Sequence, residues 1–241
     1  MSEYSGDGAS SQPVRATGQA EARPSHQSGA RPSAVLLDFH NTLAVVRSVD
    51  EWIDEASDLI AGGPAPGAIP RERIRNVWVD ARRLFPALDW DLDPTAHRHA
   101  FVSTLSRDDA IPIDVAEALY AVMPNQWMLN AGASDFVARA SAAGTRLGIV
   151  SNIALDIRPA LERWGIASAL DAVILSYEVG YVKPDPRIFR LAADALGVDP
   201  TDCLMIGDSA HDDVGGAALG MPCLIVPPDG TWRAFALASP P

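Results

Sequence analysis

The chain has 241 residues, 48% of them apolar, enough for one large domain or two modest ones with a sizeable core. A net charge of -12 and a pI near 4.7 argue against a general nucleic-acid binder or a binder of anionic membranes. They leave room for a local phosphate site, where one buried cation and a metal reverse the field. The two cysteines, Cys203 and Cys223, fall in apolar strand-like runs and form no CxxC pair. No apolar run approaches the length of a membrane span, and the N-terminus lacks a signal peptide's apolar core, so a cytoplasmic protein is expected.

Residues 1–33 are rich in Ser, Gly, Ala, Pro and Gln and are expected to form a disordered tail, with order beginning near Ala34. The run Ala34-Val-Leu-Leu37 reads as a strand buried on both faces, as in a parallel sheet, and ends at Asp38. Taken alone, Asp38 is either a solvated turn residue or a group at the ligand-binding edge of such a sheet.

Residues 44–130 read as a separate helical block without strands. Ser48-Val-Asp-Glu51 is a capping-box pattern, followed by Trp52, Ile53, Ala56, Leu59 and Ile60 at helical spacing. Ile74, Val77, Trp78, Ala81 and Leu84 mark a second helix. Asp93-Pro94 opens a third, and Val115–Met123 a fourth. Trp52 and Trp78 read as core packing. From Ala131 strands and helices alternate. Helices are predicted over 134–143, 156–164, 186–196 and 212–219, and strands over 146–150, 172–175, 203–206 and 222–226. Short connections between them argue for a doubly wound parallel α/β sheet. Residues 229–241 read as a loose tail.

Three predicted strand ends present polar groups: Asp38, Ser151-Asn152 and Asp208. Lys183 follows a fourth after a loop. It is the only lysine among 19 basic residues, and lysine and arginine are not interchangeable in a tight site. In a parallel sheet these ends share one edge. A carboxylate there can attack phosphorus, provided a cation offsets the charge repulsion. Asp38 with Asp208 makes a hard oxygen site suited to Mg²⁺. Lys183, the Ser151 hydroxyl and nearby N–H groups can hold phosphate oxygens.

These segments, in this order, resemble the haloacid dehalogenase superfamily of hydrolases. Asp38-Phe-His-Asn-Thr-Leu43 resembles its first motif, Val150-Ser-Asn152 its second, and Lys183-Pro-Asp-Pro186 with Ile188-Phe189 its third. Gly207-Asp-Ser209 through Asp212-Asp213 and Gly216-Ala217 resembles the fourth. The resemblance implies a Rossmann-like core (34–43 and 131–228) with an inserted α-helical cap (44–130) that selects substrate. It implies Asp38 as nucleophile, and Mg²⁺ held by Asp38, the backbone carbonyl of His40, and Asp208. Ser151, Asn152 and Lys183 would bind the phosphoryl group. Asp213 would support the metal or Lys183, as would Asp212, although both also read as helix N-terminal charges.

One position departs from the family. His40 stands where its phosphatases usually carry the aspartate that serves as acid and base. With an ordinary pKa near 6.5, histidine can serve both roles, predicting pH dependence near neutrality. The implied activity is hydrolysis of a small phosphate monoester, a phosphorylated metabolite, with no nucleic acid or membrane partner. Carbon–halogen hydrolysis is the first alternative, which Asp208 in the fourth motif counts against. A phospho-ligand-binding protein that lost turnover through His40 is the second. Arg82, Arg83, His97, Arg98 and His99 are candidate contacts for an anionic substrate, or solvated groups on helices.

Overall fold

A computed structural model describes residues 31–60 and 66–227. The tail expected over 229–241 and most of that over 1–33 lie outside the described residues. Order nonetheless begins before Ala34. The Ser33 amide donates to the Asp202 carbonyl (3.0 Å), and the Arg146 amide donates to the Ser33 carbonyl (3.1 Å). Ser33 thus extends the sheet's hydrogen bonding by one residue.

The core is a five-stranded parallel sheet in the order β5-β4-β1-β6-β7. Its strands are β1 (Ala34–Leu37), β4 (Arg146–Ser151), β5 (Ala172–Leu175), β6 (Cys203–Gly207) and β7 (Cys223–Ile225). β1 is central, and all four of its residues are buried, as its unbroken apolar run requires of a strand covered on both faces. On one face α6 (Ala133–Ala142) and α7 (Arg158–Arg163) pack over Val35, Leu37, Leu147 and Ile149. On the other, α9 (Pro186–Leu196) sets Ile188, Phe189, Ala192 and Leu196 against Leu36, Val150 and Met205. α9 runs from an Asp185 cap with Pro186 in its first turn to a left-handed Gly197, the predicted limits.

Three local predictions are corrected. Residues 44–130 do carry a strand, β2 (Ala44–Val46), which pairs antiparallel with β3 (Trp127–Leu129). Three-residue strands are too short to show an alternating pattern. The second predicted helix is two, α2 (Arg71–Arg75) and α3 (Val77–Leu84), broken at Asn76, whose backbone leaves helical geometry. The predicted helix over 212–219 is a 3₁₀ segment, Asp213–Leu219. Its Gly215-Gly216 pair is poor α-helix material. Glycine is also required there, because a Cβ on Gly215 would lie 2.2 Å from the Pro184 carbonyl oxygen. One short helix, α8 (Ser176–Val179), follows β5 where only a loop was expected.

β2 and β3 carry the chain away from the sheet and back. Between them, α1 (Val49–Ser57), α2, α3, α4 (Pro94–Leu105) and α5 (Ile113–Ala121) enclose a buried cluster including Trp52, Ile53, Phe101, Leu105 and Leu119. The Ser48–Glu51 capping box and the Asp93 cap are both formed. The two crossings are tied together: the Asn130 side chain donates to the Thr42 carbonyl (2.9 Å), and the Arg47 amide donates to the Gln126 carbonyl (2.9 Å).

Candidate active site

The parallel register sets the site. Leu37 aligns with Ile149 on β4 and Ile206 on β6. One residue further along β1 comes Asp38, and two further along its neighbours come Ser151 and Asp208. The Asp38 amide continues the ladder by donating to the Ile206 carbonyl (2.8 Å). All three side chains therefore emerge at one carboxyl edge, where ligands bind in open α/β sheets.

Lys183 joins them from the loop after α8. Its Nζ donates to Asp38 Oδ1 and to Asp213 Oδ1, both at 2.6 Å, with all three side chains buried. The loop is held by Asn152. Its Nδ2 donates to the Lys183 carbonyl (3.0 Å), and its Oδ1 accepts from the Lys183 amide (2.7 Å). Asn152 thus fixes the backbone of Lys183, a role the motif alone did not suggest. Asp213 is wholly buried, and its Oδ2 accepts from the Ser209 amide (2.9 Å). This close approach explains Gly207, where a Cβ would lie 2.0 Å from Asp213 Oδ2. Asp212 fits the other reading offered for it: half-exposed, it bonds Ser209 Oγ (3.1 Å) and His211 Nδ1 (2.8 Å) at the start of the 3₁₀ segment.

One oxygen from each of Asp38, Asp208 and Asp213 lies within 4.8 Å of the others. Asn41, in the left-handed region at φ 56°, donates from Nδ2 to Asp208 Oδ2 (3.2 Å). Burial pushes the Asp38 carboxyl up to about 6 despite the Lys183 ammonium beside it, and burial also raises Asp208. Burial alone would lower Lys183, but Asp38 and Asp213 outweigh it and hold the ammonium charged. The Ser151 Oγ is buried beside this group without a hydrogen-bond partner. A buried hydroxyl left unpaired is costly, and a ligand oxygen at the strand edge would satisfy it.

His40 departs from the expected titration. Its ring lies edge-on to Phe39 and Trp127, with centroids 5.1 and 5.7 Å away. Burial, with the nearby Lys183 charge, lowers its imidazole to about 4. That direction favours the neutral side chain at physiological pH and argues against His40 as the source of a pH dependence near neutrality.

Beside the carboxylates opens a cavity of about 530 Å³ between the sheet edge and the helices. His40, Asn41 and Asn152 line it from the sheet side. Of the five cationic candidates in the helices, Arg82 and His97 reach it. Arg83 and Arg98 are instead paired with Asp80 and Glu117, and His99 lies against Ser103. Trp52 and Trp78, read as core packing, also line the cavity. Asp91 is a cavity residue that sequence reasoning missed, since a lone aspartate between tryptophan and leucine carries no motif. Its carbonyl accepts from Ser176 Oγ (2.6 Å), and the same hydroxyl accepts from the Ile153 amide (2.9 Å). The helical block is thereby anchored to the loop after β4. Burial raises the Asp91 carboxyl to about 6.

The family model for haloacid dehalogenase-like hydrolases matches residues 32–220, most of the chain and all of the site. The chain belongs to the haloacid dehalogenase-like hydrolases. It is similar to a phosphoserine phosphatase of Thermus thermophilus, 38% identical over 107 residues, which are 44% of this chain and 43% of that one. The chain thus spans less than half the length of the curated relatives it matches first. Among solved structures, YfnB of Bacillus subtilis, a putative hydrolase of the family bound to magnesium, aligns with a TM-score of 0.61 at 17% identity. That alignment covers 82% of this chain and 87% of YfnB. A 2-haloacid dehalogenase of Pseudomonas syringae pv. Tomato aligns at 0.57 and 20% identity, over 82% and 87%. At such identities the likeness is one of fold, and the hydrolase's reaction has to be argued from its site.

Proposed function

We propose that this hydrolase is a magnesium-dependent phosphatase that cleaves phosphate monoesters through an aspartyl-phosphate on Asp38. The observation that carries the proposal is a charge imbalance. Asp38, Asp208 and Asp213 gather around the single ammonium of Lys183. A phosphate dianion could not approach that excess of negative charge unaided. The donor set is all oxygen and carboxylate-rich, which suits Mg²⁺ better than softer metals. Asp38, Asp208 and the His40 carbonyl would hold the ion. Asp213, with both oxygens already bonded, contributes mainly by holding Lys183. Bound there, Mg²⁺ would neutralise charge between carboxylate and phosphoryl oxygens.

The chain's own residues then divide the work. The Asp38 carboxylate attacks phosphorus, and the bond from phosphorus to the leaving oxygen breaks, releasing an alcohol that takes its proton from the solvent. Lys183 and the unpaired Ser151 hydroxyl bind phosphoryl oxygens. Water then attacks the aspartyl-phosphate, freeing Asp38 and inorganic phosphate. His40, neutral, is suited to accept that water's proton and poorly suited to supply one to the alcohol. Helices α1–α5 act as a cap that encloses the leaving group, and the two free cysteines fit a cytoplasmic location. A magnesium-bound family structure and phosphatase relatives support the reading.

The test is phosphate release from 4-nitrophenyl phosphate with Mg²⁺ and with chelator, run beside halide release from chloroacetate. Phosphate release that chelator abolishes is expected. Metal-independent halide release without phosphate release would put carbon–halogen hydrolysis in its place, and neither product would leave a binding protein.

A further inference from the structure

Resting on the phosphatase reading, we infer that the leaving group is an arylalkyl alcohol, its ring held among tryptophans in the cavity next to Asp38. The cavity's size is the first reason. At about 530 Å³ it falls in the range of about 300–1,000 Å³ that encloses drug-sized ligands, several times the volume of a three-carbon alcohol. Its wall is the second. Trp52, Trp78, Trp90 and Trp127, four of the chain's six tryptophans, line it. Trp78 is the most available of them. Partly exposed, it stands at the centre of a ring cluster, 4.5 Å from His97, 5.7 Å from Trp90 and 5.6 Å from Phe101 between centroids.

The third reason is that most polar side chains of the wall are already engaged, the His40 ring and the Asp91 carboxyl excepted. His97 Nδ1 bonds Tyr120 Oη (2.9 Å). Gln126 Nε2 donates to Glu55 (2.9 Å) and the Val122 carbonyl (3.1 Å), while its buried Oε1 has no partner. Asn152 is committed to Lys183, and Asn41 to Asp208. Arg75 is paired with Glu72, and Arg82 lies over the Trp90 ring at 4.3 Å, extending the flat aromatic surface. A polyol or amino-acid leaving group would lose its water here and find few free partners, which costs binding. A planar apolar ring loses nothing and gains stacking.

The test compares kcat/KM for 2-phenylethyl phosphate with that for ethyl phosphate and glycerol 3-phosphate, all esters of primary alcohols. One methylene in a fitted apolar pocket changes specificity about 10–200-fold, so at least a ~50-fold preference for the phenylethyl ester is expected. Trp78→Ala should bring the ratio towards one, and Trp78→Phe should restore most of it. Equal or better turnover of the two small esters would overturn the inference. Titration calorimetry of the full chain with 2-phenylethanol, without phosphate, separates this outcome from a failure of the phosphatase reading. Saturable one-to-one binding, weakened at least ~10-fold in Trp78→Ala and recovered in Trp78→Phe, is expected even if no ester is hydrolysed. Absence of saturable binding in the wild type would refute the aromatic subsite whatever the reaction.

Discussion

At the scale of single residues, the site works by contrast between side chains of similar chemistry. Asp38 and Asp213 both bond Lys183 at 2.6 Å, yet only Asp213 has its second oxygen tied to a backbone amide, that of Ser209. One carboxylate is therefore a fixed support, and the other keeps an oxygen for chemistry. His40 shows what a motif cannot disclose. Its place beside Asp38 was legible, but its ionisation depends on burial and on Lys183, 143 residues away in the chain. With its imidazole near 4, His40→Ala should lower turnover by no more than ~10²-fold, the low end for loss of a general base. The pH–rate profile between about pH 6 and 8 should keep its shape, because the imidazole is neutral throughout that interval. A wild-type limb near neutrality that vanishes in the variant would show that His40 titrates there. As the proposed nucleophile, Asp38 must be ionised, so activity should fall as pH drops through its pKa, about 6 before a cation lowers it.

At the scale of elements, the strands explain why four separated motifs meet. β1, β4 and β6 are adjacent and parallel, so residues one or two positions beyond matched register pairs lie side by side. The 3₁₀ segment Asp213–Leu219 then folds back so tightly that Gly207 and Gly215 have no room for a Cβ. Gly207→Ala would press on the Asp213 carboxylate and, through it, on Lys183. We expect a loss of about 1–3 kcal/mol in denaturant unfolding, the usual cost of overpacking, together with at least a ~10-fold loss of turnover. Unchanged turnover would mean that the position of Lys183 does not matter. The long, strongly patterned elements were legible, α9 to the residue, because caps, proline and glycine all agreed. β2, β3 and α8, each of three or four residues, were not, because such elements exist through pairing and packing rather than local preference.

At the scale of the whole molecule, the sheet edge presents the carboxylates and Lys183, and the helices line the cavity beside them. The sheet side of this arrangement was readable from motifs. The cavity was not, since its wall combines Trp52, Trp78, Trp90 and Trp127 from four separate elements. Among the described residues no helix is long and apolar enough to cross a membrane. Asp91 joins the two sides and carries a stability cost. Its carboxyl is raised from 3.8 to about 6 on folding, chiefly by burial, with Asp89 and Asp212 adding to the effect and Arg82 and Lys183 opposing it. A carboxyl with a raised folded pKa destabilises the fold as pH rises from the unfolded value through the folded one. Asp91→Asn should therefore raise stability above about pH 6, by roughly 3 kcal/mol at most, and change it little near pH 4. Thermal melts of both proteins across that interval check this, and an equal shift at both ends would show that Asp91 does not titrate between them.

Covalent catalysis depends on Asp38 as the nucleophile, and phosphate release by Asp38→Asn at saturating Mg²⁺ tests that role most directly. The amide keeps the shape of the side chain but cannot form an aspartyl-phosphate. Release should fall at least ~10³-fold while the circular dichroism spectrum and the unfolding transition remain those of a folded protein. Release within about tenfold of wild type would contradict covalent catalysis at Asp38 and leave the cluster around Lys183 as a phosphate-binding site only.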